Sequence, residues 1–296
     1  MLLSTQDLTK QFGGITAVDG VDFTLEEEEL CSVIGPNGAG KTTFFNLLTG
    51  VLEPTAGRIE FAPSTGAAAE GGQLDGSDDE TVDDGPIDIT DAAPHETALL
   101  GLHRSYQVTN IFPTVSVREN VRIAAQAHRG GDSWRFWRNA NAFDDHVAEA
   151  DRILERIGLT AYADQPAENL SHGEKRNLEI GIALAGDPDV LLLDEPTAGV
   201  SSEDVDRVTD IIEDVAADHA IMLIEHNMDV VMDISDRVAV LNQGELIAQG
   251  PPAEIRQSEA VQRAYLGGYE GGGSEAVTDG GDPEPAQDPD AGVTAG

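Results

Sequence analysis

The sequence predicts an α/β fold, and three observations predict it. A strand-type apolar run, Leu30–Ile34, is followed by a glycine-rich turn and then by a helix-type run over residues 42–48. A second apolar run, Val190-Leu191-Leu192-Leu193, ends in Asp194-Glu195. A third, over 221–224, ends in Glu225-His226. Continuous apolar runs of this kind are typical of central strands buried on both faces. Polar residues at their carboxyl ends stand where open α/β sheets gather ligands.

The glycine-rich turn is the most specific of these elements. Gly35-Pro36-Asn37-Gly38-Ala39-Gly40-Lys41-Thr42 fits the spacing GxxxxGK[ST] between a strand and a helix. Glycines let successive backbone N–H groups approach phosphate oxygens without Cβ obstruction. The anion then lies on the positive end of the following helix, where backbone donors lack partners. Lys41 is placed to reach the β- and γ-phosphates of a nucleotide, and Thr42 to ligate Mg²⁺ through its hydroxyl.

The acidic strand end supplies what a bound nucleotide requires next. Asp194 is the natural Mg²⁺ partner, and Glu195 the candidate to polarise an attacking water. A strand ending in a solvated acidic turn is the bland alternative, but the phosphate loop creates an independent need for this pair.

Further along, Leu170-Ser171-His172-Gly173-Glu174 precedes the helix-type run Lys175-Arg176-Asn177-Leu178-Glu179-Ile180. Ser171 and Glu174 have the spacing of a capping box at a helix start. The pentapeptide also resembles the LSGGQ signature, and with the glycine turn and Asp194-Glu195 it makes the chain similar to the nucleotide-binding subunits of ABC transporters. The resemblance covers about residues 2–268, apart from one insertion. It implies a P-loop NTPase fold of ABC type, with an antiparallel β portion and a helical lobe. It also implies ATP hydrolysis with Mg²⁺ in a dimer of such subunits.

Roles carry over residue by residue. The resemblance implies that Gly35, Pro36, Asn37, Gly38, Ala39, Gly40, Lys41, Thr42 and Thr43 bind ATP. Ser171 and Gly173 would close over the γ-phosphate held by the other subunit. Gln107, in Arg104-Ser105-Tyr106-Gln107, resembles the glutamine that approaches Mg²⁺ and senses the membrane partner. His226 resembles the switch histidine that contacts the γ-phosphate. Phe12 resembles the aromatic that stacks on adenine, and equally suits the core of a first hairpin. His172 and Glu174 depart from the signature's Gly and Gln, and Ala198-Gly199-Val200-Ser201 lacks the usual aspartate of the loop after the strand.

Composition narrows the partners. The chain has 55 acidic against 17 basic residues, a net charge of −38, and its lysines are Lys10, Lys41 and Lys175 alone. That balance opposes nucleic-acid binding, which needs a basic surface. It suits a cytoplasm of multimolar salt, where screening removes carboxylate repulsion. Neither a signal peptide nor an apolar run of about 18 residues is present. The expectation is a cytoplasmic protein, peripheral on the inner membrane face through permease subunits. The single Cys31 precludes an internal disulfide and reads as a buried, inert thiol.

One nucleotide-binding domain is expected over 1–268, with a helical lobe at about 115–181. Trp134-Arg135-Phe136-Trp137-Arg138 would pack within that lobe or meet a membrane partner or lipid headgroups. Residues 62–86 interrupt the β portion after a strand at 57–61, contain no Lys or Arg, and are expected to be a disordered acidic loop. The tail, 269–296, is expected to be the same.

Within the family, Leu223-Ile224-Glu225-His226-Asn227-Met228-Asp229, Leu241-Asn242-Gln243-Gly244-Glu245 and the ending Arg263-Ala264-Tyr265-Leu266-Gly267 resemble the ATPases of branched-chain amino-acid importers. Such systems imply permeases, an external solute-binding protein and a second ATPase subunit, identical or not. A urea or amide importer, a lipid exporter and a soluble non-transport ATPase are the alternatives.

Overall fold

The structure, a computed structural model, describes residues 1–63, 85–105, 111–128 and 140–266. In chain order the elements are β1 (Leu3–Phe12), β2 (Ile15–Leu25), β3 (Leu30–Ile34), α1 (Lys41–Leu48), β4 (Ala56–Phe61), β5 (Ile87–Asp88), α2 (Pro94–Leu99), β6 (Leu102–Ser105), α3 (Val117–His128) and α4 (Ala140–Arg156). They continue with α5 (His172–Leu184), β7 (Val190–Asp194), α6 (Ser202–Ala216), β8 (Ala220–Ile224), α7 (Met228–Ile234), β9 (Arg237–Asn242), β10 (Glu245–Gly250), α8 (Pro252–Gln257) and α9 (Glu259–Leu266).

The strands form two sheets. One has the order β2-β1-β4-β5 and is antiparallel. The other has the order β10-β9-β3-β8-β7-β6, parallel throughout except for β10 on β9. Strands β3, β7 and β8 are buried at every residue, as their unbroken apolar character requires when both faces are covered.

The two-residue period of a strand divides these side chains between two cores. Val190 and Leu192 of β7, with Met222 and Ile224 of β8, face the antiparallel sheet and pack with Phe23, Phe44 and Phe45. Phe23 and Phe44 meet edge-on, with ring centroids 5.6 Å apart. Leu191, Leu193, Ile221 and Leu223 face the other way, onto Leu154, Ile157, Leu178 and Ile212. Burying one such leucine contributes about 2 kcal/mol, and truncation to Ala costs about 2–5 kcal/mol once a cavity is left.

Helix starts follow local chemistry. Ser171 caps α5 by accepting from the Glu174 N–H at 3.2 Å, and the Glu174 carboxylate accepts from the Ser171 N–H at 2.8 Å. The capping box read from the sequence is therefore present. Ser201 caps α6 and Asn227 caps α7 in the same way, through Asp204 N–H and Asp229 N–H.

Register aligns the functional edge. Val33 pairs with Ile224, and Asp194 also pairs with Ile224, so β3, β7 and β8 end together. Cys31 is buried in β3, where burial pushes its thiol up to about 12. Among the described residues, no helix is long and apolar enough to cross a membrane. Most of the acidic insertion (64–84), the Trp134–138 cluster, the last two residues of the expected domain (267–268) and the tail 269–296 lie outside the described residues.

Candidate nucleotide site

The loop after β3 is shaped by contacts on one side and open on the other. Gly40 has φ 103°, and a Cβ there would lie 2.2 Å from the Ala17 carbonyl oxygen, so only glycine fits. Gly38 has φ 80°, yet a Cβ there would meet nothing within 4 Å. The outer face of the loop is thus free to receive a ligand. The Ala39 carbonyl accepts from the Gly244 N–H at 3.0 Å, which ties the loop to the β9–β10 turn.

Helix α1 begins directly behind this open face. Its N-cap is Gly40, with no side-chain cap and no acidic residue in the first turn. The positive helix end is left for an external anion. Lys41 is buried, and its ammonium donates to the carbonyls of Gly35 at 2.7 Å and Pro36 at 3.2 Å. Burial lowers its pKa, against the opposing pull of Glu195 and Asp194. Thr42 is exposed and Thr43 half-buried on the same first turn. An uncapped helix end, an open glycine and a lysine close to two carboxylates fit a nucleotide's phosphates.

Asp194, the last residue of β7, is buried. Its Oδ2 accepts from Arg104 Nη2 of β6 at 2.6 Å. Arg104 also donates through Nη1 to Asn46 of α1 at 2.5 Å, and its guanidinium lies 5.7 Å from the Phe45 ring centre. The candidate metal carboxylate is therefore held at the core of a network joining three elements.

Glu195 follows in a left-handed conformation, φ 51°, which L residues adopt rarely and at a cost. Its Oε1 lies 2.9 Å from His226 Nε2. The backbone around both residues is braced by Glu225, which is itself buried. One Glu225 oxygen accepts from the Thr197 N–H at 2.8 Å and the Thr197 hydroxyl at 2.6 Å. The other accepts from the His226 N–H at 3.0 Å.

Lys41, Asp194, Glu195 and His226 thus gather at one sheet edge. Ser171 and Gly173 sit at the start of α5, where a Cβ on Gly173 would come 2.7 Å from the Asp204 carboxyl carbon of α6. Phe12 is 46% exposed beside the β1–β2 turn, with Lys10 Nζ 5.2 Å from its ring centre. Of the two readings for Phe12, exposure removes the core one. Gln107 lies outside the described residues.

Three contributors carry no role in the sequence reading: Arg104, Arg176 and Glu225. Arg104 stands in the segment that contains Gln107, Arg176 is the second residue after the signature and Glu225 directly precedes His226. Proximity to a motif is the available signal; Asp194, the three carbonyls and Thr197, to which they bond, are distant in sequence.

Known proteins are similar to this chain in sequence and fold. The ABC transporter family matches residues 18–198, and the family described as branched-chain amino acid ATP-binding cassette transporter matches residues 245–271. The chain is 38% identical to the high-affinity branched-chain amino acid transport ATP-binding protein LivG of Salmonella typhimurium, over 90% of this chain and 98% of LivG. It is 36% identical to the corresponding protein BraF of Pseudomonas aeruginosa, with the same coverage. Among solved structures, the ADP conformation of MJ1267, an ATP-binding cassette of an ABC transporter, superposes with a TM-score of 0.72 at 27% identity, covering 90% of this chain and 98% of that one. With the family match spanning most of the chain and these relatives aligned along nine-tenths of it, the protein belongs to the ABC transporter family as an ATP-hydrolysing cassette subunit.

Proposed function

We propose that this ATPase powers the import of branched-chain amino acids. The observation that carries the reading is the match over residues 245–271 to the branched-chain amino acid group, independent of the general ABC match at 18–198. LivG and BraF, named for that transport, support it along the whole domain.

In this reading ATP lies on the loop from Gly35 to Thr43, with Phe12 against adenine. Lys41 leaves its loop carbonyls for the β- and γ-phosphates. Among the described residues no cluster of three or more His, Cys, Asp or Glu could hold a metal alone. In the same reading Mg²⁺ would be held by Thr42, Asp194 and Gln107 with phosphate oxygens, and when bound it neutralises charge on the transferred group. Glu195 polarises the attacking water, and His226 orients Glu195 and faces the γ-phosphate. Ser171 and Gly173 complete the site of a second, identical or sister subunit.

The partners are membrane permease subunits, with an external solute-binding protein delivering cargo on the far side. Within the chain, a cleft of about 270 Å³ is lined by Thr97 and Ala98 of α2, His103 and Arg104 of β6, and Glu179 and Ala183 of α5. The acid excess is read as adaptation to a cytoplasm of multimolar salt.

Uptake of labelled leucine tests the function, in cells carrying the wild-type chain or Glu195→Gln at matched protein levels and molar salt. Loss of uptake in the variant is expected. Uptake at the wild-type rate, in a strain without another leucine carrier, would move the cargo toward urea, amides or lipid.

A further inference from the structure

One guanidinium holds the turn that carries Glu195. Arg176 lies in α5, five residues after Ser171, and is 9% exposed. Its Nε donates to the Pro196 carbonyl at 3.0 Å. Its Nη2 donates to the Asp194 carbonyl at 3.0 Å and the Glu195 carbonyl at 2.5 Å. The remaining arm, Nη1, donates to Glu179 Oε2 at 2.6 Å, and Glu179 is 8% exposed. Three successive carbonyls converge on one side chain.

Convergence of this kind is foreign to a regular strand, where successive carbonyls alternate in direction. It occurs here because Glu195 has φ 51°. The left-handed residue turns the chain back, and the planar fork of Arg176 meets the carbonyls that result. A lysine ammonium, a point charge without a fork, cannot match that geometry. Glu179, one turn along the same helix, offsets the buried charge and holds the guanidinium plane. The rest of the turn is fixed by Glu195 N–H on the Ile224 carbonyl at 2.8 Å, and by Ala198 N–H on the Glu195 carbonyl at 3.1 Å.

We propose that Arg176, oriented by Glu179, is a positioning residue that sets the left-handed backbone of Glu195 and so aims its carboxylate at the attacking water. The same contact joins each subunit's signature helix to its own hydrolytic turn. Ser171 and Gly173, at the start of that helix, are the residues assigned to the other subunit's nucleotide. A shift of α5 on closure would therefore reach Glu195 through a single side chain. The inference rests on the reading of Glu195 as the group that polarises water.

The test compares full-length wild type, Arg176→Lys, Arg176→Met and Glu179→Gln in molar salt. It measures kcat and KM for ATP hydrolysis, and labelled ATP binding in a Glu195→Gln background. Misplacement of a catalytic group by about 1 Å costs up to about 100-fold. Arg176→Met is expected to lower kcat by about 10- to 100-fold, with KM and ATP binding within about twofold. Arg176→Lys should recover only part of that loss, and Glu179→Gln should lower kcat by less than Arg176→Met. Added to Glu195→Gln, Arg176→Met should reduce turnover no further. If Arg176→Met does not fold, Arg176→Lys and Glu179→Gln carry the test through the same separation of kcat from KM. The proposal is overturned if Arg176→Lys or folded Arg176→Met turns over within about twofold of wild type. It also falls if the loss appears in KM and ATP binding instead of kcat. Wild-type turnover in Glu195→Gln alone would remove the Glu195 reading, a failure distinct from normal turnover in the Arg176 variants.

Discussion

His226 Nε2 and Glu195 Oε1 lie 2.9 Å apart, joined across two strand ends. The two residues are 31 positions apart in sequence, and Glu225 braces the backbone beside each. The pair gives the carboxylate a fixed direction. His226→Ala removes that partner while leaving Glu195 and its turn intact. Steady-state ATPase at saturating ATP should fall by about 100-fold or more, in the range of lost acid–base catalysis. Turnover close to wild type would show that Glu195 is oriented by other contacts.

The loop glycines separate folding from binding. A methyl at Gly40 would overlap the Ala17 carbonyl oxygen, whereas one at Gly38 projects into open space. Gly38→Ala should cost only the left-handed strain, about 1–2 kcal/mol, and yet weaken ATP binding by at least tenfold by obstructing the phosphates. Gly40→Ala should destabilise the protein more, because backbone must move. Denaturation curves paired with equilibrium ATP binding check both; equal effects on stability would contradict the assigned facing of Gly38.

Much of this site is legible in the sequence because its chemistry is local. The loop from Gly35 to Thr42 needs strand, glycines, lysine and helix in unbroken order, and β7 needs one buried run ended by Asp194. The capping box at Ser171 and Glu174 is likewise local. Contacts that depend on register are not. Asp194 aligned with Ile224 is what carries Glu195 to His226, and nothing within either segment states that alignment. Arg104, Arg176 and Glu225 are ordinary charged residues until the fold delivers Asp194, three carbonyls and Thr197 to them. Phe12 admits two readings because a hairpin sequence does not reveal which end of a strand stays in solvent.

Glu29 and Arg237 make a prediction about acid. Arg237 Nε and Nη2 donate to the two Glu29 oxygens at 2.5 and 2.9 Å, and the Glu26 N–H donates to Glu29 at 2.9 Å. Burial alone would raise the Glu29 pKa, but Arg237 and the Glu26 N–H outweigh it and hold the carboxyl below its ordinary value of 4.5. A depressed carboxylate contributes stability above its unfolded value and loses it as pH falls through the folded one. Glu29→Gln should therefore cost about 2 kcal/mol at pH 7. The gap from wild type should narrow below about pH 4.5. Denaturant titrations at several pH values, at constant salt, measure it; a gap independent of pH would mean that the carboxylate charge contributes nothing.

Salt acts on this protein in two opposing directions, and their balance can be predicted. Exposed attractive pairs weaken on screening, among them Arg156 with Asp214 and Asp218, and Arg118 with Asp151. Each is worth about 0–1 kcal/mol, and 17 basic residues limit how many exist. Repulsion is spread over 55 acidic residues and a net charge of −38. It acts across the surface while the screening length is about 10 Å, near 0.1 M salt, and is nearly extinguished at about 3 Å, near 1 M. Acidic residues outnumber basic ones 55 to 17, so relief of repulsion should exceed loss of attraction. If the difference is a few kcal/mol, the thermal midpoint should rise by about 5–10 °C between 0.1 and 2 M KCl. Replacing several exposed Asp and Glu by Asn and Gln should flatten that rise, because the effect belongs to charge rather than to burial of apolar surface. A midpoint that stays level or falls would remove the reading of a high-salt cytoplasm, while leaving the ATPase site untouched.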